Sequence, residues 1–99
     1  MRLNGMTAIV TGGASGMGES MIYALAKEGA SIVVVDRNAD GANAVATRVN
    51  EEGGKAICVK ADVQCAEDLD TMADKAMDTF RGINILVNNA GARVIKGFL

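Results

Sequence analysis

The chain has 99 residues, with 10 basic and 12 acidic side chains and a net charge of −2. That balance excludes the basic surface that nucleic acid or an anionic membrane requires, and a hydrophobic content of 49% excludes a disordered chain. Histidine and proline are absent, which removes His-dependent triads, His metal sites and proline-rich docking segments.

Short apolar runs rich in β-branched residues alternate with longer segments of helical period. The first run, Thr7–Thr11, reads as a strand and leads into a glycine-rich turn. A helix follows over 16–28, its apolar side formed by Met17, Met21, Ile22, Leu25 and Ala26, and it stops at Gly29. Ser31–Asp36 is the second strand. The second helix spans 39–52, with Asn38 as N-cap and Gly53-Gly54 as its end, and it is weakened by Gly41 in its first turn. Lys55–Lys60 is the third strand. The third helix, Ala66–Phe80, carries the clearest apolar stripe (Leu69, Met72, Ala73, Ala76, Met77, Phe80), lacks a good N-cap and ends before Gly82. The fourth strand covers 83–88, and another helix is expected after it.

The strand runs are nearly continuous in apolar character, which suits strands buried on both faces. The alternation predicts an α/β fold of three layers, α-β-α. Its sheet is parallel, with four strands in the order 3-2-1-4, the first part of a doubly wound, Rossmann-like architecture. Residues 1–99 read as one partial domain. Two helices are expected on one sheet face and the third on the other, leaving apolar surface open near strands one and four. The fourth strand is expected as a bare edge, through which the chain would form a homo-oligomer or aggregate.

The turn after the first strand reads Thr11-Gly12-Gly13-Ala14-Ser15-Gly16-Met17-Gly18. Glycines there allow a tight turn and a close approach of backbone to a diphosphate, and the helix N-terminus beyond attracts anions. The spacing G-x-x-x-G-x-G is a variant of the dinucleotide fingerprint. Gly13 to Ser20 also has the glycine spacing of a nucleotide triphosphate loop, but Glu19 stands where that loop requires a lysine. Asp36 ends the second strand, where an acid accepts hydrogen bonds from ribose hydroxyls and repels a 2′-phosphate. This favours NAD over NADP, although Arg37 beside it is a residue type that holds a 2′-phosphate.

These motifs identify a resemblance to the N-terminal part of the short-chain dehydrogenase/reductase family. Thr11 to Gly18 matches its T-G-x-x-x-G-x-G loop, Asp62-Val63 its adenine-contacting pair, and Asn88-Asn89-Ala90-Gly91 its N-N-A-G motif. The resemblance implies that Gly12, Ser15, Gly16, Met17 and Gly18 face the diphosphate. It implies that Asp62 and Val63 bracket the adenine, that Asn89, Ala90 and Gly91 border the adenosine ribose, and that Asn88 fixes strand four. The implied activity is hydride transfer between a nicotinamide dinucleotide and a small alcohol or ketone. The family's catalytic Ser and Tyr-x-x-x-Lys lie beyond the N-N-A-G motif, so the chain is expected as the cofactor-binding part alone, without turnover. The alternative is a non-catalytic nucleotide-binding or interaction module.

Tyr23-Ala24-Leu25-Ala26-Lys27 has the Tyr-x-x-x-Lys spacing, but Glu19, Tyr23 and Lys27 form one polar stripe of the first helix. The methionines read as core filler, Cys58 as a small buried strand residue, and Glu67, Asp68, Asp70, Asp74 and Asp78 as the wet face of the third helix. Two cysteines without a CxxC pair give no structural zinc site. With no signal-like N-terminus and no apolar run of membrane length, the expectation is a reduced, cytoplasmic protein away from membranes.

Overall fold

The computed structural model describes residues 2–62, 65–88 and 93–96, and for Ala66, Asn88 and residues 93–96 the backbone alone. The elements are β1 (Thr7–Thr11), α1 (Gly16–Lys27), β2 (Ser31–Asp36), α2 (Ala39–Glu51), β3 (Lys55–Lys60), α3 (Ala66–Phe80), β4 (Ile85–Asn88) and β5 (Arg93–Lys96). The strands form one sheet in the order β3-β2-β1-β4-β5. The first four strands are parallel and in the order expected from the alternation, with Thr7↔Ser31, Ala8↔Ile85 and Ser31↔Lys55 opening the three parallel registers.

Two apolar clusters sandwich the sheet. On one face Ala8, Val10, Ile32, Val34 and Val87 meet Ile22 of α1 and Ala42, Val45, Ala46 and Val49 of α2. On the other, Ile9, Val33, Val35 and Val59 meet Met72 and Ala76 of α3. Alternate residues of β1 and β2 thus enter opposite clusters, which is why their sequences are apolar without a break. Two helices on one face and one on the other is the expected distribution. Of the apolar surface expected to lie open near strands one and four, β1 is covered, with Ile9 buried, whereas Ile85 and Leu86 of β4 are only partly buried.

The end of the chain departs from the sequence reading. Where a helix was expected, Arg93–Lys96 runs antiparallel to β4, pairing Asn88↔Arg93 and Ile85↔Lys96. The central Val94-Ile95 pair is β-branched, and β4 offers an unpaired ladder for it to join. β4 is therefore an inner strand and not the expected bare edge. It also starts at Ile85 and not at residue 83. Asn84 brackets Thr7 instead, donating its N–H to the Thr7 carbonyl and accepting the Thr7 N–H on Oδ1, both at 2.9 Å.

β3 is one edge of the sheet, and it is only partly covered. Ala56 and Val59 are buried while Lys55, Cys58 and Lys60 are exposed. Cys58 is therefore a surface thiol, 3.7 Å from Asn43 Oδ1 on α2, and not the buried residue its apolar neighbours suggested. The methionines are also divided: Met72 is buried, whereas Met17 and Met77 are 68% and 50% exposed and fill no core.

The helix ends follow the cap chemistry. Asn38 Oδ1 accepts from the Gly41 N–H at 3.1 Å, as its N-cap position predicts. Cys65 caps α3 without a side-chain hydrogen bond. α3 ends at Phe80, before Gly82 as expected, and its C-cap Arg81 takes the left-handed conformation at φ 66°.

Candidate cofactor site

The glycine-rich turn leaves β1 at its carboxyl end and is tied residue by residue. Gly12 has φ 66°, a left-handed conformation that suits glycine. Gly13 N–H donates to the Val35 carbonyl at 3.1 Å, which presses the turn onto β2. A Cβ at Gly13 would lie 2.7 Å from Val34 Cγ1 and 2.9 Å from Ile22 Cδ1, so only glycine fits the approach of α1 to the sheet. Ala14 N–H donates to Asp36 Oδ2 at 2.9 Å. Ser15 is the N-cap of α1, and its hydroxyl donates to the Gly12 carbonyl at 2.8 Å.

Ser15, Gly16 and Met17 are exposed and Gly18 is buried, so the first turn of α1 presents its backbone outward. Nothing lies within 4 Å of the position a Gly16 Cβ would take. The N–H groups of a first helical turn have no intrahelical acceptor and carry the positive end of the helix dipole. An exposed turn of this kind, with open space before it, fits a diphosphate.

Asp36 lies at the carboxyl end of β2, beside this turn. Its Oδ1 accepts the Asn38 N–H at 2.9 Å while its Oδ2 holds Ala14. Arg37 is exposed next to it. A groove of about 480 Å³ opens between the ends of β2 and β3, lined by Arg37, Lys60, Ala61, Asp62 and Asp68. Lys60 stands opposite Asp36 in the β2–β3 register. Asp62 is positioned by its backbone: its N–H donates to Asp68 Oδ2 at 2.7 Å and its carbonyl accepts the Cys65 N–H at 2.9 Å. Asp68 is therefore a half-buried turn anchor and not part of the wet face of α3.

Of the residues singled out in the sequence, Gly12, Ser15, Gly16, Met17, Gly18, Asp36, Arg37 and Asp62 converge at the carboxyl ends of the parallel strands. That is where open α/β sheets hold their ligands. Val63, Asn89, Ala90 and Gly91 lie outside the described residues. The sequence reading passed over Ala14, Lys60 and Asp68. Only Asp68 left a local signal, as an acid in the first turn of α3. A second groove, of about 470 Å³, lies at the amino ends of the strands near Lys27, Ser31, Gly54 and Lys55, away from the turn. Among the described residues no group of three or more acidic or cysteine side chains could hold a metal, and no helix is long and apolar enough to cross a membrane.

A parallel sheet in this order, with a glycine-rich turn and an acid at the ends of adjacent strands, defines a nucleotide-binding Rossmann-type fold. Residues 6–99 match the family model for short chain dehydrogenases, and the chain belongs to that family. It is similar to 7alpha-hydroxysteroid dehydrogenase of Escherichia coli strain K12, with 40% identity over 98 residues, 99% of this chain and 38% of that protein. It is also similar to 3beta-hydroxysteroid dehydrogenase 2 of Eggerthella lenta, with 42% identity over 89 residues, 90% of this chain and 34% of that protein. Among solved structures, a 7 alpha-hydroxysteroid dehydrogenase complexed with NADH and 7-oxo glycochenodeoxycholic acid superposes with a TM-score of 0.85. The two are 39% identical, over 88% of this chain and 34% of that one. The chain thus spans between a third and two-fifths of the length of these relatives.

Proposed function

We propose that residues 1–99 form one domain that binds NAD for an oxidoreductase of this family, one that interconverts a secondary alcohol and a ketone. The observation that carries the reading is the placement of the exposed first turn of α1 and the Asp36 carboxylate at one sheet end, where Asp36 Oδ2 accepts the N–H of Ala14, in the turn leading into α1, at 2.9 Å. The relative solved with NADH supports a nicotinamide dinucleotide.

When bound, the nicotinamide accepts or supplies the hydride. The residues of this chain bind and orient. Gly16, Met17 and Gly18 hold the diphosphate through backbone N–H groups and the α1 dipole, with Gly12 and Ser15 facing it from the turn. A carboxylate has about four acceptor sites, so Asp36 can take ribose hydroxyls besides Ala14 and Asn38. Its charge repels a 2′-phosphate, which makes NAD the preferred dinucleotide, with Arg37 at the edge of that choice. Asp62 and Val63 bracket the adenine, and Asn89, Ala90 and Gly91 border the ribose. The exposed Cys58 thiol suits a reducing, cytoplasmic compartment.

Calorimetric titration with both dinucleotides tests the reading. NAD is expected to bind more tightly than NADP, and the 99-residue chain alone is expected to give no turnover with secondary alcohols. Tighter binding of NADP would overturn the specificity, and absence of binding to either would overturn the function.

A further inference from the structure

We propose that Asp36 is a positioning residue of the glycine-rich turn: its carboxylate fixes Ala14, and so the diphosphate-facing backbone, before any dinucleotide arrives. The inference rests on the reading of this turn as the dinucleotide site and goes beyond ribose recognition.

Three successive N–H groups of the turn are tied down. Gly13 donates to Val35 O at 3.1 Å and Ser15 donates to Gly12 O at 3.2 Å, both backbone acceptors. Ala14 between them donates to a side chain, Asp36 Oδ2, at 2.9 Å. It is therefore the link of the three that a side-chain substitution can cut without moving β2. A hydrogen bond to a carboxylate is charge-assisted and stronger than a neutral one. The second oxygen is not idle either. Oδ1 accepts the Asn38 N–H at 2.9 Å, which fixes the carboxylate plane and starts α2 at its own N-cap. α2 then closes on the same residue from the other side. A Cβ at Gly41 would lie 2.9 Å from Ala14 Cβ, so the bare first turn of α2 packs directly against Ala14. Ala14 is thus gripped at its N–H by Asp36 and at its methyl by α2, immediately before the N-cap of α1.

The two roles separate when the ligand lacks the hydroxyls that Asp36 would bind. Asp36→Ala and Asp36→Asn are compared with the unmutated chain, using ADP and 2′,3′-dideoxyadenosine diphosphate as probes. Amide exchange at Ala14 is followed without ligand. The expected result is a roughly tenfold loss of affinity for the dideoxy probe in Asp36→Ala, the scale of one charge-assisted hydrogen bond. Ala14 should lose its exchange protection in the same variant, while Asp36→Asn, which keeps one acceptor oxygen, retains part of both. If Asp36→Ala weakens ADP alone, and Ala14 protection is unchanged, Asp36 is a ribose contact only and the positioning role is overturned. Should the unmutated chain bind neither probe, the cofactor reading falls, and Ala14 exchange in the two variants still decides whether Asp36 holds the turn. If Asp36→Ala does not fold, Asp36→Asn carries both measurements.

Discussion

Tyr23 donates its hydroxyl to Glu19 Oε2 across one turn of α1 at 2.8 Å, under an Arg48 guanidinium that sits 4.7 Å from the ring centre. Arg48 in turn pairs with Glu52 at 3.3 Å, so a chain of four side chains spans α1 and α2. The Tyr-x-x-x-Lys spacing at Tyr23 and Lys27 therefore serves helix packing. Burial of the phenol, and then its hydrogen bond to the carboxylate, hold the Tyr23 pKa above 10.0. A proton-transfer tyrosine working near neutral pH needs the opposite shift.

Tyr23 should accordingly ionise later than a free tyrosine. With the folded-state pKa raised, its contribution to stability is complete below pH 10.0 and is lost as pH rises through the folded value. The chain has one tyrosine and no tryptophan, so the phenolate absorbance reports this residue alone. Ionisation at or below the free value would contradict the Glu19 bond. Tyr23→Phe keeps the ring under Arg48 and removes only the hydroxyl, an expected cost of about 0.5–1.5 kcal/mol in urea unfolding.

Arg81→Gly should stabilise the chain. Arg81 closes α3 at φ 66°, where a side chain costs about 1–2 kcal/mol relative to glycine. No hydrogen bond of the Arg81 side chain offsets this among the described contacts, and its backbone N–H already reaches Met77 O at 2.9 Å. A gain of about 1 kcal/mol should appear as a higher urea midpoint at unchanged slope. A fall in the midpoint would mean that the arginine side chain contributes more than its backbone costs.

The parts of this fold that local chemistry decides were legible in the sequence. The β1 and β2 runs, the Asn38 cap and the order of the four parallel strands follow from hydrophobic period, cap residues and crossover handedness. What depends on pairing was not. Cys58 sits in an apolar run, and only the position of β3 at the sheet edge exposes it. Lys60 reaches the groove because the β2–β3 register sets it opposite Asp36. The candidate site divides in the same way: the glycines and Asp36 were visible as motifs, whereas the bond between Asp36 and Ala14 joins residues 22 positions apart. The α3 span Ala66–Phe80 was legible too, whereas the left-handed C-cap at Arg81, a residue with a side chain, left no signal.

Gly13 and Gly16 should respond oppositely to alanine. At Gly13 the new methyl would meet Val34 and Ile22 at 2.7 and 2.9 Å, inside the cluster that joins α1 to the sheet. Overpacking of that kind costs about 1–3 kcal/mol. At Gly16 the methyl meets nothing within 4 Å, so the fold should be unchanged or slightly more stable. The same methyl would stand on the face offered to the diphosphate. Thermal melts and NAD titration of the two variants together separate the roles: Gly13→Ala lowers Tm, whereas Gly16→Ala keeps Tm and weakens binding. A Gly16→Ala variant that binds NAD normally would place the diphosphate elsewhere.

Asn50 should prove to be the residue that holds the outer edge of the sheet. Its amide reaches from α2 to the buried Ala56 of β3 and makes both possible bonds, donating Nδ2 to Ala56 O at 3.0 Å and accepting the Ala56 N–H on Oδ1 at 2.8 Å. The side chain thereby imitates a neighbouring strand at one residue of an edge that has none. Lys55 and Lys60 at the two ends of β3 discourage pairing with another sheet, but the apolar centre between them has only this bracket among the described contacts. Asn50→Ala leaves the part-buried Ala56 N–H and C=O without these partners, at an expected cost of about 1 kcal/mol. Asn50→Asp keeps the acceptor and loses the donor, so it should fall between the two. The released edge should also associate: light scattering should show concentration-dependent growth of Asn50→Ala under conditions where the unmutated chain stays constant. If unfolding is unaffected by Asn50→Ala, the bracket contributes nothing and the edge is protected by its lysines alone.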